Sequence, residues 1–187
     1  MKRRHARLSG FTLFEAIVTS VIMAVAVGTL VTLAQAGRIS WEIGDEAAEV
    51  EHNLQQATTW MSRELVASAT AQVAIDPAQN RLTFAVPVDE SVVGTDDLQI
   101  VWGAEGNPGW RIEYLLGGAP GTPQLLRQLR DNLGAPQGTP TVLANYVRSF
   151  VITGEPDIVQ PVTVRLELTV ARGAMQREGR TYVRLRN

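Results

Sequence analysis

The chain has no cysteine, so neither a disulfide nor a thiolate metal site can form. Histidine occurs twice, at His5 and His52. A serine nucleophile needs a base held against its hydroxyl, and no such triad is visible. These gaps point away from an enzyme, and no cofactor or metal is expected. Lysine is confined to Lys2 and proline is absent before Pro77, which leaves a long N-terminal stretch free to be helical. Charge is missing from Ala16 through Gly37. That gap reaches the roughly 20 apolar residues a helix needs to cross a bilayer.

What flanks the gap orients it. Lys2, Arg3, Arg4 and Arg7 precede it, and Arg38, Glu42, Asp45, Glu46 and Glu49 follow. The basic end is expected in the cytoplasm and everything after Gly37 outside. Glu15 interrupts the apolar segment, where an ionised carboxylate costs on the order of 2.5–3.5 kcal/mol even on the mildest insertion scale. A position near the helix start, within reach of the headgroups and eased by the helix dipole, is one account of it.

A second account comes from its surroundings. Gly10-Phe11-Thr12-Leu13-Phe14-Glu15 resembles the processing site of type IV prepilins and type II secretion pseudopilins, with a short basic leader, Gly10 at its end, Phe11 as first mature residue and Glu15 as fifth. The resemblance implies that a prepilin peptidase cuts between Gly10 and Phe11 and N-methylates Phe11, and that the helix is kept. A secretory signal would instead be cut after its apolar region. It also gives Glu15 an assembly role, with the Phe11 amine of a neighbouring subunit as the partner that neutralises it. Phe14 departs mildly from the pattern, where a smaller aliphatic is commoner, and the lack of cysteine departs from the many pilins with a disulfide-closed C-terminal loop.

With 187 residues, 45% hydrophobic and 19% charged, the chain suits one membrane helix and one modest domain. The expected layout is a leader at 1–10, a transmembrane or assembly half-helix at 11–37, an amphipathic half-helix at 38–71 and a globular domain at 72–187. Loss of the leader leaves 13 basic against 19 acidic side chains, a balance of −6. Such a surface argues against general nucleic-acid affinity, which rests on neutralising phosphates with positive charge.

Past Gly37, Ile39, Ile43, Ala47, Val50, Leu54, Ala57, Met61 and Leu65 recur three or four apart, so one helix is expected from Phe11 to about Ala69, on the order of 90 Å long. Its other face carries an acidic cluster from Glu42 to Glu51, read as solvated in preference to a cation or arginine site. Period-two alternation then predicts strands over Leu82–Val86, Leu98–Trp102, Trp110–Leu116, Leu125–Arg130, Tyr146–Thr153, Val162–Val170 and Tyr182–Leu185. Asn107-Pro108-Gly109 reads as a hairpin turn joining the second strand to the third, and the stretches 118–123 and 134–140 as surface loops. The fold class is α+β, a pilin-like long N-terminal helix packed on one antiparallel sheet.

Other candidates are weaker. Asp89, Glu90, Asp96 and Asp97 offer the oxygens a calcium ion takes, but match no calcium loop, and a solvated loop is preferred. Trp102 and Trp110 suit stacking, though strand aromatics usually fill a core. Arg172, Arg177, Arg180, Arg184 and Arg186 suit phosphate, though edge protection is the commoner reason for such charges.

Val142–Phe150 and the ending Tyr182–Asn187 resemble the later part of W-type minor pilins and J-type minor pseudopilins. The two resemblances together imply a minor structural subunit, tip-proximal or initiating, of a type IV pilus or a type II secretion pseudopilus, serving cell projection, DNA uptake or protein secretion. They imply as partners the prepilin peptidase, other pilin or pseudopilin subunits and, indirectly, an assembly ATPase and platform protein. The implied location is the bacterial inner membrane in a single pass, then the periplasm or cell surface. The alternative is a membrane-anchored binding module for DNA, sugar or exported protein.

Overall fold

The computed structural model describes residues 12–93 and 97–186. They fall into two compact units, one ending at Gly44 and the other running Asp45–Asn187. Helix α1 (Leu13–Val66) contributes to both. It ends one turn after Arg63, a cation suited to the negative end of the helix dipole. The Ala67 and Ser68 N–H groups close that end by donating to the Glu64 and Leu65 carbonyls at 3.2 and 3.0 Å.

The second unit holds every strand, and each pairing between strands is antiparallel. β1 (Val73–Asp76), β2 (Arg81–Phe84), β6 (Arg111–Ala119), β7 (Thr122–Arg130) and β8 (Pro136–Asn145) form a sheet in the order β1-β2-β6-β7-β8. A second sheet has the order β11-β10-β9, from β9 (Val147–Glu155), β10 (Thr163–Arg172) and β11 (Met175–Arg184). The third joins β3 (Val86–Val93), β4 (Asp97–Ala104) and β5 (Asn107–Pro108). The architecture is α+β.

The amphipathic stripe of α1 is the floor of the core. Val50, Leu54, Ala57, Met61 and Leu65 are buried at the spacing the sequence sets, and they join Leu82, Phe84, Ile112, Tyr114 and Leu125 of the first sheet and Phe150, Leu166, Leu168 and Val183 of the second in one apolar cluster. Gly179 lets β11 come close to the helix: a Cβ there would lie 2.9 Å from Leu54 Cδ1. Asn53 is buried beside the stripe and is not wasted. Its Nδ2 donates to the Glu49 carbonyl and its Oδ1 accepts the Asn145 N–H, both at 2.8 Å, which ties α1 to the end of β8.

Three expectations need correction. The strands build three sheets instead of one. Asn107-Pro108-Gly109 does not join β4 to β6, because Asn107 and Pro108 pair back onto Ala104 and Gly103, while β6 pairs with β2 and β7. The tight turn is Glu105-Gly106, both with positive φ. Neither surface stretch is a loop throughout: 118–123 is the end of β6 and the start of β7 around a turn at Pro120-Gly121, and 134–140 is no loop from Pro136 onward. It opens β8, an edge strand of its sheet, where proline's missing N–H costs no ladder bond.

Met61 is fully buried where α1 meets the sheets. Met61→Ala is expected to lower unfolding stability by about 2–5 kcal/mol, read as a lower urea midpoint of the detergent-solubilised chain; an unchanged midpoint would place the core elsewhere.

Candidate functional site

Gly10 and Phe11 lie outside the described residues. Glu15 does not, and it sits in the first turn of α1. Thr12 and Glu15 cap that turn reciprocally. The Thr12 N–H and hydroxyl donate to Glu15 Oε2 at 2.9 and 3.0 Å, and Thr12 Oγ1 lies 3.3 Å from the Glu15 N–H. This is the capping box that Thr-x-x-Glu spacing encodes, a structural task for Glu15 that the processing-site reading passes over. Among the described residues its carboxylate meets no cation within the chain.

Every residue from Thr12 to Ala36 is exposed, including Leu13, Phe14, Ile22, Met23, Leu30 and Leu33. Hydroxyls in this stretch turn inward along the helix. Thr19, Ser20, Thr29 and Thr32 donate to carbonyls three or four residues back at 2.7–2.9 Å, which leaves no side-chain O–H seeking water. A helix satisfies its backbone polar groups internally, which is one of the two ways a chain can span lipid. α1 is long and apolar enough near its start to cross a membrane.

The acidic helix face is not wholly solvated. Arg38 pairs with Glu42 at 3.0 Å on the surface, but Glu49 forms an ion pair with Arg172 at the end of β10, and the Glu46 carboxylate fills the space where Gly173, at φ 55°, lacks a Cβ. Arg172 also lies over the Tyr146 ring, 5.4 Å from its centroid. The C-terminal arginines are therefore not a common patch. Arg180 is engaged by Glu178 at 2.9 Å and Glu167 at 3.2 Å; Arg177, Arg184 and Arg186 are exposed. Trp102 and Trp110 are half-buried, and Trp110 packs on the core. His52 is exposed on the helix. The acidic group Asp89, Glu90, Asp96 and Asp97 lies outside the residues whose side chains are described.

Two buried charge networks were not foreseen. On the inner face of the first sheet, Arg127 is 7% exposed and pairs with Glu64 of α1 at 2.9 Å and with Glu105 at 2.8 Å. The Tyr114 hydroxyl donates to the same Glu64 carboxylate. Burial pulls the Arg127 pKa down, but the hydrogen bonds and charges of Glu64 and Glu105 outweigh it and leave the net shift upward. Burial first, then the Glu64 charge, push the Tyr114 hydroxyl up, which keeps it a donor. On the opposite face Glu113, 1% exposed, is held by Arg130 at 2.6 Å and Arg81 at 3.2 Å. Among the described residues no three His, Cys, Asp or Glu side chains gather as a metal would require.

Comparison with family models, with curated proteins and with solved structures returns no match.

Removing Arg127 alone strands a half-buried carboxylate. Arg127→Met is expected to cost about 3–5 kcal/mol, while Arg127→Met with Glu64→Gln recovers much of it. Unfolding of both variants, followed by tryptophan fluorescence, checks this; equal losses would mean the pair is not coupled.

Proposed function

We propose that this chain is a subunit of a membrane-assembled filament, of the type IV pilin and type II secretion pseudopilin class. The observation that carries the reading is the start of α1. An uncharged helical stretch, exposed on all sides, begins at a Thr12–Glu15 cap directly after Gly10-Phe11. An exposed apolar surface of this extent needs a cover, and lipid before assembly, then neighbouring helices after it, supply one.

In this reading a prepilin peptidase removes residues 1–10 and methylates the Phe11 amine. The chain waits in the inner membrane in a single pass with Asp45–Asn187 outside, then enters the filament by packing α1 among other subunits. Lipid gives no hydrophobic drive for helix association, so close packing and charge pairing supply the preference. Glu15, with no cation partner of its own among the described residues, is the acceptor for a neighbour's Phe11 amine. The size of the chain and the W- and J-type resemblance favour a minor subunit, tip-proximal or initiating, in either a pilus or a secretion pseudopilus. The chain itself supplies no motor, so an assembly ATPase and platform protein are required from outside.

Intact mass tests the reading. Protein from membranes and from sheared filaments is expected to lack Met1–Gly10 and to carry one methyl group on Phe11, in cells with prepilin peptidase activity alone. An uncut chain in both backgrounds would sink the subunit reading and leave an anchored binding module. Glu15→Ala is expected to be processed normally and to enter filaments at least several-fold less often than the parent; equal incorporation would remove the register role of Glu15.

A further inference from the structure

Side chains alternate along β6, and while Ile112 and Tyr114 face the core, Arg111 and Glu113 face the other way. That outer face carries an open hollow of about 450 Å³, lined by Arg81, Arg111, Glu113, Arg130 and the turn through Leu133. The volume is in the range of small-molecule sites.

The charges in the hollow are unbalanced. Arg111 and Arg130 are direct cross-strand partners, and like charges in that position repel. Among the described residues two carboxylates line the hollow, and one of them, Glu113, serves Arg130 and Arg81. Arg111 is exposed and has no ion-pair partner among the described residues. Three guanidinium groups against the carboxylates of Glu113 and Asp131 leave the lining a formal charge of +1. Asp131 keeps its charge, but its acceptor positions are taken by neutral donors. Its Oδ1 accepts the Leu133 and Ala135 N–H groups at 2.9 and 2.8 Å, and its Oδ2 accepts from Gln137 at 2.8 Å.

Donors are also in excess. A guanidinium carries five N–H donors, yet Arg130 uses Nε on Glu113 and Nη1 on the Gly134 carbonyl. Arg81 Nε is buried and, though 3.2 Å from Glu113, makes no aligned hydrogen bond. A cross-strand arginine pair, a net positive charge and guanidinium donors without a partner among the described residues call for an oxyanion. We propose that this hollow binds a phosphate group, either as free phosphate or as the monoester of a small molecule. A carboxylate offers only two oxygens to three guanidinium groups, whereas a phosphate monoester supplies three acceptor oxygens and the larger charge. Leu133, 89% exposed at the rim, is placed to cover the apolar part of a monoester.

Titration calorimetry on the full chain in nonionic detergent tests this, at constant ionic strength and about pH 8, where phosphate is doubly charged. Inorganic phosphate is expected to bind at one site, and acetate to bind at least tenfold more weakly. Arg111→Ala, a surface change that removes no internal ion pair, is expected to weaken phosphate roughly tenfold, as the loss of one charge-assisted contact implies. Methyl phosphate separates the sources: binding as tight as phosphate assigns a monoester, and much weaker binding assigns free phosphate. No phosphate binding by the parent, equal binding of acetate, or an Arg111→Ala titration that overlays the parent would each overturn the proposal.

Discussion

Burial of one helix stripe is the constraint on which the second unit depends. Val50, Leu54, Ala57, Met61 and Leu65 lie on one side of α1, and the strands of two sheets close over them. Polar anchors fix the helix where the apolar contact alone would let it slide. Glu49 holds Arg172, Asn53 holds the Asn145 N–H, Ser62 meets Thr181 at 3.3 Å, and Glu64 holds Arg127 and Tyr114. These contacts lie at intervals along the helix from Glu49 to Glu64, and they reach five different strands of the sheets. Hydrophobic burial is non-directional; the charged and amide groups supply the register.

The same helix is built for two surroundings. From Thr12 to Ala36 it shows apolar side chains on every side and returns its hydroxyls to its own carbonyls. From Val50 onward it is apolar on one side only. Between these stretches the chain carries Arg38, Glu42, Asp45 and Glu46, together with Trp41, which is 82% exposed. An exposed tryptophan beside the first charges after a long apolar run is the composition of a membrane–water boundary.

The helix and its inner stripe were legible in the sequence because a 3.6-residue period of apolar residues survives any tertiary context, and β10 was legible because its residues alternate; of β11 only the end from Tyr182 was, since Met175–Arg180 carries no apolar alternation. The sheet assignment was not. Turn residues at Asn107-Pro108-Gly109 say that the chain reverses, but not which strand it returns to, and Asn107 and Pro108 return to β4. β8 was hidden by Pro136, Gly138 and Pro140, whose composition reads as loop although an edge strand tolerates it. Glu113 and Arg127 were invisible as buried charges, since alternation assigns a side chain to a face without saying what covers that face. The partners of Arg127 come from α1 and from the β4–β5 turn, at sequence separations no local pattern encodes. At the helix start the Thr12–Glu15 spacing carried the capping signal in plain form, beside the processing motif that shares its residues.

The far end of α1 is joined to the last strand through its successor residues. Arg186 donates its N–H to the Ser68 carbonyl at 2.9 Å and accepts the Thr70 N–H at 3.1 Å, in a parallel bridge with Ala69. Leu185 in turn donates to Val162 at 2.9 Å. The stretch just after the helix is thus completed by residues synthesised more than a hundred positions later. During translation α1 emerges long before its cover exists, so its stripe must stay solvated, or shielded by other means, until residue 186 has arrived. Contacts this distant in sequence form late because loop closure precedes them. Membrane insertion of an anchor needs only its own residues. For the proposed topology the order of events follows: the anchor is seated first, the domain closes around its own helix afterwards, and the completed domain then stands as a folded stop against the helix slipping back.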